Sequence, residues 1–293
     1  MLIITMSSVS VRVPATSANL GPGFDCLGLA LDLWGQITLS RTEPTSDDPM
    51  ASMAVIAARK LFEKVGEAAG PLSAHYRGDI PIARGLGASA VARVGGLVAA
   101  NEMVGKRLDR DELLVLATEL EGHADNVAPA IFGGLQVSVV EPSGVLHTAS
   151  PLPHGLQAVL FVPELRIATR DARRVLPDSL TRADAVYNIG RAALLVAAMA
   201  RGRFDLLDTA TQDRLHQPAR SELFPAMNQI FDAARKAGAH AAYLSGSGST
   251  LCALATAATD EIARAMAEEA RARNVPGRTI VTRPTEQGAE VLG

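Results

Sequence analysis

The sequence predicts a two-domain α+β protein. Strand-period and helix-period segments alternate in both halves, a proline- and glycine-rich break falls at 141–155, and 293 residues are enough for two cores of ordinary size. The expected division is 1–150 and 151–293. With 48% hydrophobic and 20% charged residues, the composition is that of a globular chain and far from that of a disordered one. A net charge of -3 argues against a general nucleic-acid binder. The two cysteines, Cys26 and Cys252, form no CxxC or Cys/His ligand spacing, so neither a disulfide framework nor a structural zinc site is expected, and the cytoplasm is the expected compartment. The most apolar stretch, 192–200, is too short to span a bilayer, and residues 1–5 lack the basic region and long apolar core of an export signal.

In chain order, short strands are expected at 10–13 and 36–40, flanking a glycine-containing functional loop at 14–25. An exposed loop at 41–50, with Pro44, Ser46 and Pro49, precedes an alanine-rich helix at 51–65, and another strand ends near Ile82. An apolar helix is expected over 89–104, stopped by Gly105, and Asp109 with Glu112 forms a capping pair opening a helix to about Leu120. A short helix at 127–132, closed by Gly133 and Gly134, leads into an alternating strand at 135–140. In the second half come a strand at 156–162 and a long helix at 182–201 with Thr181 as N-cap. Helices at 204–215 and 225–237 follow, the latter with Pro225 in its first turn. Strands at 241–245 and 250–255, a helix at 260–273 and a strand at 278–283 close the chain.

Two glycine clusters carry the first functional signal. Gly85-Leu86-Gly87-Ala88-Ser89-Ala90 precedes an apolar helix, where glycines let backbone N–H groups approach an anion; a phosphate cradle and a plain strand-to-helix turn both fit. The chain contains no G-x-x-x-x-G-K-[ST] and only four lysines, which excludes a lysine-dependent P-loop, and the missing third glycine at Ala90 weakens a dinucleotide reading. Ser245-Gly246-Ser247-Gly248-Ser249-Thr250 fits a hairpin turn or a backbone-lined ligand contact.

Together with two longer segments, Pro14-Ala-Thr-Ser-Ala-Asn-Leu-Gly-Pro-Gly-Phe-Asp25 and Glu121-Gly-His-Ala-Asp-Asn-Val-Ala-Pro-Ala-Ile-Phe-Gly-Gly134, these clusters make the chain resemble the GHMP kinase superfamily and, within it, the homoserine kinases. The resemblance covers nearly the whole chain. It implies an N-terminal α/β domain with a left-handed βαβ crossover, a C-terminal ferredoxin-like domain, and ATP with Mg2+ and L-homoserine between them. The implied reaction phosphorylates the homoserine hydroxyl to O-phosphohomoserine, on the threonine pathway. A sister GHMP kinase acting on another small alcohol, and a non-catalytic ligand-binding relative, are the alternatives. The implied partner is the small molecule, with no nucleic acid and no membrane, and a homodimer stays open. Ala88 departs from the family pattern, which commonly has a first serine there, and Ser249 replaces a usual proline. The 41–50 loop is shorter than expected and does not place the adenine contacts.

By the resemblance, Gly85, Leu86, Gly87, Ala88, Ser89, Ala90, Gly246 and Ser247 hold the nucleotide. Ser89 and Glu121 are the magnesium-side pair, and Ser89, Glu121 and Asn126 the catalytic set. Hard oxygen donors suit magnesium. An N-cap for Ser89 and a solvated helix end for Glu121 are the structural alternatives. Arg173 and Arg220 match the family's substrate arginines, and arginine's planar fork suits a carboxylate. Asn19 and Asp25 are expected at the ammonium group, or as turn formers. His123, Asp125 and Thr169 complete the substrate set. His123 is a general-base candidate by its ordinary pKa, yet a dissociative transition state needs little deprotonation, so the base is left unassigned. Asp125 and Asn126 could equally cap the following helix.

Overall fold

The computed structural model describes residues 6–43 and 47–292. The expectation at residues 1–5, and the Pro44 and Ser46 part of the 41–50 loop, lie outside the described residues.

The chain builds two sheets. The first holds β1 (Ser8–Ala18), β2 (Leu27–Ser40), β3 (Ser73–Gly78), β4 (Leu135–Glu141), β5 (Gly144–Ser150) and β10 (Glu290–Leu292), in the order β10-β1-β2-β4-β5 with β3 also paired to β2. Its antiparallel ladder runs Ser8↔Ser40 to Ala18↔Gly28, with a register shift between Pro14 and Ala15. That shift is where a proline belongs, because a bulge does not require its missing N–H. The expected loop at 14–25 is therefore half strand: residues 15 to 18 are fully buried in β1, and the loop proper runs from Asn19 to Cys26. The β5 strand corrects the reading of 141–155 as a plain break, since β4 and β5 form a hairpin through Pro142 and Ser143.

Helices α1 (Pro49–Lys64), α2 (Ala88–Met103), α3 (Arg110–Glu121) and α4 (Val127–Phe132) cover this sheet. Each starts or stops where its sequence says. Asp48 accepts from the Met50 N–H at 3.1 Å with Pro49 in the first turn, and Asp109 and Glu112 form the reciprocal capping box. Gly122 ends α3 in the left-handed region.

The second sheet, β7-β8-β6-β9, is the antiparallel order of a ferredoxin-like unit: β6 (Gln157–Pro163), β7 (Ala241–Leu244), β8 (Leu251–Ala255) and β9 (Gly277–Thr282). Its strands alternate between two cores. Ala158, Leu160, Tyr243 and Cys252 face the core shared with the first sheet's helices, whereas Val159, Phe161, Leu244 and Leu251 face α9 (Met227–Lys236) and α10 (Thr259–Ala272). Between β6 and β7 lie α5 (Thr169–Arg174), α6 (Arg182–Arg201), a 3₁₀ turn (Phe204–Leu206), α7 (Leu207–Ala210) and α8 (Gln217–Arg220). The expected helix at 204–215 is broken after Ala210, and α9 starts two residues later than expected, beyond Pro225. Among the described residues, α6 is the one helix long and apolar enough, by length and composition, to cross a membrane. Its Leu195, Ala198 and Met199 are buried in the shared core, and Thr181 caps it by accepting from the Asp184 N–H. The final strand, β10, pairs with β1, so the end of the chain returns to the first sheet.

Candidate active site

A cleft of about 230 Å³ opens between the two sheets. One wall is the start of α2. Gly85 and Gly87 have φ of 75° and 67°, and a Cβ on either would collide, at Gly85 with the Ser245 carbonyl oxygen and at Gly87 with Thr16 Oγ1. Glycine is thus required here by both conformation and space. Gly87 caps α2 without any side-chain bond, which leaves the first amides of a 16-residue helix uncapped beside the cleft-lining Gly87, Ala88 and Ser89. Leu86 and Ala90 do not line the cleft: Leu86 is 1% exposed and Ala90 fully buried, both in the core.

The second glycine cluster braces this loop. Ser245 Oγ donates to the Gly85 carbonyl at 2.6 Å, the Thr250 N–H to the Arg84 carbonyl at 2.9 Å and the Gly246 N–H to the Ala18 carbonyl at 2.9 Å. It is therefore more than a hairpin turn: it joins the two halves of the molecule, and Gly246 and Ser247 line the cleft.

Ser89 is not the N-cap of α2. It lies in the first turn and donates to Glu121 Oε1 at 2.5 Å. Nor is Glu121 a solvated helix end, for its side chain is 8% exposed and its other oxygen pairs with Arg93. Burial lowers the Arg93 pKa. Arg93, one helical turn beyond Ser89, was missed by the sequence reading, although its spacing from Ser89 placed both on one helix face.

Asn126 precedes α4 but does not cap it with its side chain. Its Oδ1 accepts from Thr16 Oγ1 at 2.7 Å, and Asp125 Oδ1 accepts from His123 Nδ1–H at 2.5 Å. Asp25, His123 and Asp125 bring one oxygen or nitrogen each within 4.8 Å of one another.

On the far side stand the arginines. Arg173, from α5, grips Asp25 through both nitrogens, Nη1 to Oδ2 at 3.0 Å and Nη2 to Oδ1 at 2.7 Å, and this pairing raises its pKa. Arg220, on α8, is 2% exposed, and burial and then the nearby Arg173 lower its pKa to about 10. Phe24 lies beneath both guanidinium groups, 5.4 Å from each, and was missed although it stands inside the quoted Gly-Pro-Gly-Phe-Asp segment. Asn19 spends its amide on the protein itself: Nδ2 donates to the Gly246 carbonyl at 2.9 Å and Oδ1 accepts from the Asp25 N–H at 3.0 Å. Thr169 Oγ1 lies 3.4 Å from Ser247 Oγ. Except for Leu86 and Ala90, every expected site residue lines this one cleft, together with Met53, Ile82, Ala83 and Arg84, which the sequence reading did not select. Arg84 donates to the carbonyls of Pro163 and Glu164, so it ties the glycine loop to the end of β6.

The family models for the GHMP kinase N-terminal and C-terminal domains match residues 52–134 and 195–272. The chain is 43% identical to the homoserine kinase of Moorella thermoacetica, with 96% of this chain and 99% of that one covered. It is 41% identical to that of Carboxydothermus hydrogenoformans, covering 96% of both chains. The crystal structure of homoserine kinase from Cytophaga hutchinsonii superposes with a TM-score of 0.89 at 30% identity over 98% of each chain.

Proposed function

The chain belongs to the homoserine kinases of the GHMP kinase family, and we propose that it transfers the γ-phosphoryl group of ATP to the side-chain hydroxyl of L-homoserine, giving O-phosphohomoserine and ADP. The observation that carries this reading is a single cleft with an uncapped, glycine-opened helix start at one end and two arginines with a carboxylate at the other.

The nucleotide phosphates belong at the α2 end, where backbone N–H groups and the helix dipole favour negative charge. Ser89 Oγ and the Glu121 carboxylate, in contact beside these amides, are hard oxygen donors of the kind magnesium takes, so the residues present fit that ion. When bound, Mg2+ supplies charge neutralisation of the phosphate oxygens. At the opposite end the zwitterion needs a cation for its carboxylate and an anion for its ammonium group. Arg173 and Arg220 serve the first need and Asp25 the second. Arg173 and Asp25 pair with each other across the cleft, and the amino acid engages both members of that pair, its carboxylate at Arg173 and its ammonium group at Asp25.

Held at both ends, the four-carbon chain directs its hydroxyl toward the α2 loop, past His123, Asp125 and Asn126. With its Nδ1–H spent on Asp125, His123 retains Nε2 as an acceptor for the hydroxyl proton. The loose transition state needs little more than this orientation. Asn19 acts through Asp25 and the Gly246 loop. Thr169 borders the substrate at the Ser247 edge. The rest of the reading is an N-terminal unit of 1–150 that carries the nucleotide and a unit of 151–293 that closes the cleft, a cytoplasmic location, and a place in threonine synthesis.

The test compares catalytic efficiency for homoserine with that for a carboxylate-free amino alcohol of the same length. Wild type should favour homoserine strongly, and Arg173→Ala and Arg220→Ala should narrow the ratio. An unchanged ratio in both variants removes the arginines from the carboxylate end.

A further inference from the structure

Arg220 is a buried cation without a counter-ion in contact. Among the described residues it makes no ion pair, and its three hydrogen bonds go to neutral groups: Nε to the Ala172 carbonyl at 3.2 Å, Nη1 to the Gly246 carbonyl at 2.9 Å and Nη1 to His216 Nδ1 at 3.1 Å. No hydrogen bond reaches Nη2 from the described residues. Burying an arginine is costly, and the usual remedy is a carboxylate. Here the site uses an imidazole.

The chemistry of the partners fixes which imidazole. A guanidinium can only donate, so His216 Nδ1 bears a lone pair; the Gly21 carbonyl, 2.7 Å from Nε2, can only accept, so Nε2 carries the proton. The ring is fully buried, and Phe24 lies with its ring centre 5.5 Å away. The charged groups facing it are Arg220 on the helix that His216 precedes, Asp213 from the preceding loop, 3.6 Å from Nε2, and Asp25 from the 19–26 loop. Asp213 is itself occupied by the N–H groups of Leu215, His216 and Gln217 and by Asn188.

We propose that His216 is a positioning residue for substrate specificity: as a neutral Nε2–H imidazole it holds the Arg220 guanidinium in place without neutralising it, so that the charge is kept for the substrate carboxylate. A carboxylate at the same point would hold the guanidinium as firmly and quench it. The ordinary histidine pKa would bring a positive charge against Arg220 at mildly acidic pH. Burial first, and Arg220 as well, push it down to about 4, which keeps the ring neutral. This inference rests on Arg220 receiving the substrate carboxylate.

Two nearly isosteric variants test it. In His216→Asn the side-chain oxygen offers Arg220 a neutral acceptor; in His216→Asp the same position carries a charge. The KM for homoserine should stay within about 3-fold of wild type in the first and rise at least 10-fold in the second, while kcat and the KM for ATP move little in either. Equal KM values for the two variants overturn the inference. Arg220→Ala is assayed alongside: if it leaves the homoserine KM unchanged, the carboxylate reading fails, whereas a raised KM there with equal Asn and Asp variants removes only the role of His216. Should His216→Asp fail to fold, the wild-type imidazole decides by ¹⁵N NMR. A neutral ring protonated at Nε2 from pH 6 to 8 supports the inference, and a charged ring or an Nδ1–H tautomer in that range overturns it.

Discussion

At the scale of single residues, charge and hydroxyl placement govern the cleft. Hydrogen bonds to charged groups contribute about 1.5–3 kcal/mol each, so Arg173→Ala and Arg220→Ala should each lower kcat/KM for homoserine roughly 10- to 150-fold and leave the KM for ATP nearly unchanged, as steady-state kinetics will read. Ser89→Ala and Glu121→Gln act at the other end and should depress kcat; thermal unfolding should stay close to wild type in Ser89→Ala and fall in Glu121→Gln, which takes the carboxylate from Arg93, and near-normal turnover in both at saturating magnesium would remove them from the phosphate end. His216 gives a pH signature of folding. Its folded-state pKa, about 4, lies below the ordinary 6.5, so the unfolded chain binds more protons in between and stability falls as pH drops from about 6.5 toward 4. Urea unfolding across that range should show a shallower loss in His216→Asn. Glu121 was legible because, like Asn19, Asp25, His123, Asp125 and Asn126, it sits in a long, specific segment. Phe24, Arg93 and His216 were not, since an aromatic under two cations, a guanidinium behind a carboxylate and a neutral acceptor are defined only once distant elements meet.

At the scale of elements, close backbone approach decides what substitution is tolerated. Gly96 in the middle of α2 lies so near the Ala54 carbonyl of α1 that an added Cβ would collide with backbone. Helix propensity alone favours Gly→Ala by about 1 kcal/mol, but overpacking costs about 1–3 kcal/mol, so Gly96→Ala should lower Tm; a raised Tm would show that the two helices separate without penalty. The sequence made the capped helices readable because their signals are local: Asp109 with Glu112, Thr181, Gly122. Strands were harder. In the first half of β2 the leucines alternate with Gly28 and Ala30 rather than with polar residues, because both faces are buried there, and β10 is three residues long with its partner near the opposite end of the chain. Pro142 and Gly144 marked a hairpin turn, and the same residues read as a domain break.

At the scale of the whole molecule, the cleft lies at the edge of two units that share one hydrophobic core and are tied there by contacts between the Gly85 loop and residues 245–250. Gly85→Ala places a Cβ against the Ser245 carbonyl at a left-handed φ. It should therefore impair the nucleotide end and the joint between the units at once, raising the KM for ATP and lowering Tm together. A change in only one of the two would mean that the loop and the joint are independent. That both halves mix strands and helices was visible in the sequence; that they share one core through the inner face of the second sheet was not, because period-2 burial does not say which face meets which neighbour. The central claim is the identity of the phosphoryl acceptor, and the measurement that tests it most directly is ATP-dependent ADP release with homoserine, mevalonate, shikimate and threonine offered separately at equal concentration, with the product followed by ³¹P NMR. The account predicts that homoserine gives by far the highest rate and a phosphate monoester in step with ADP. ADP release no faster with homoserine than with the other three, or without the ester, would contradict it.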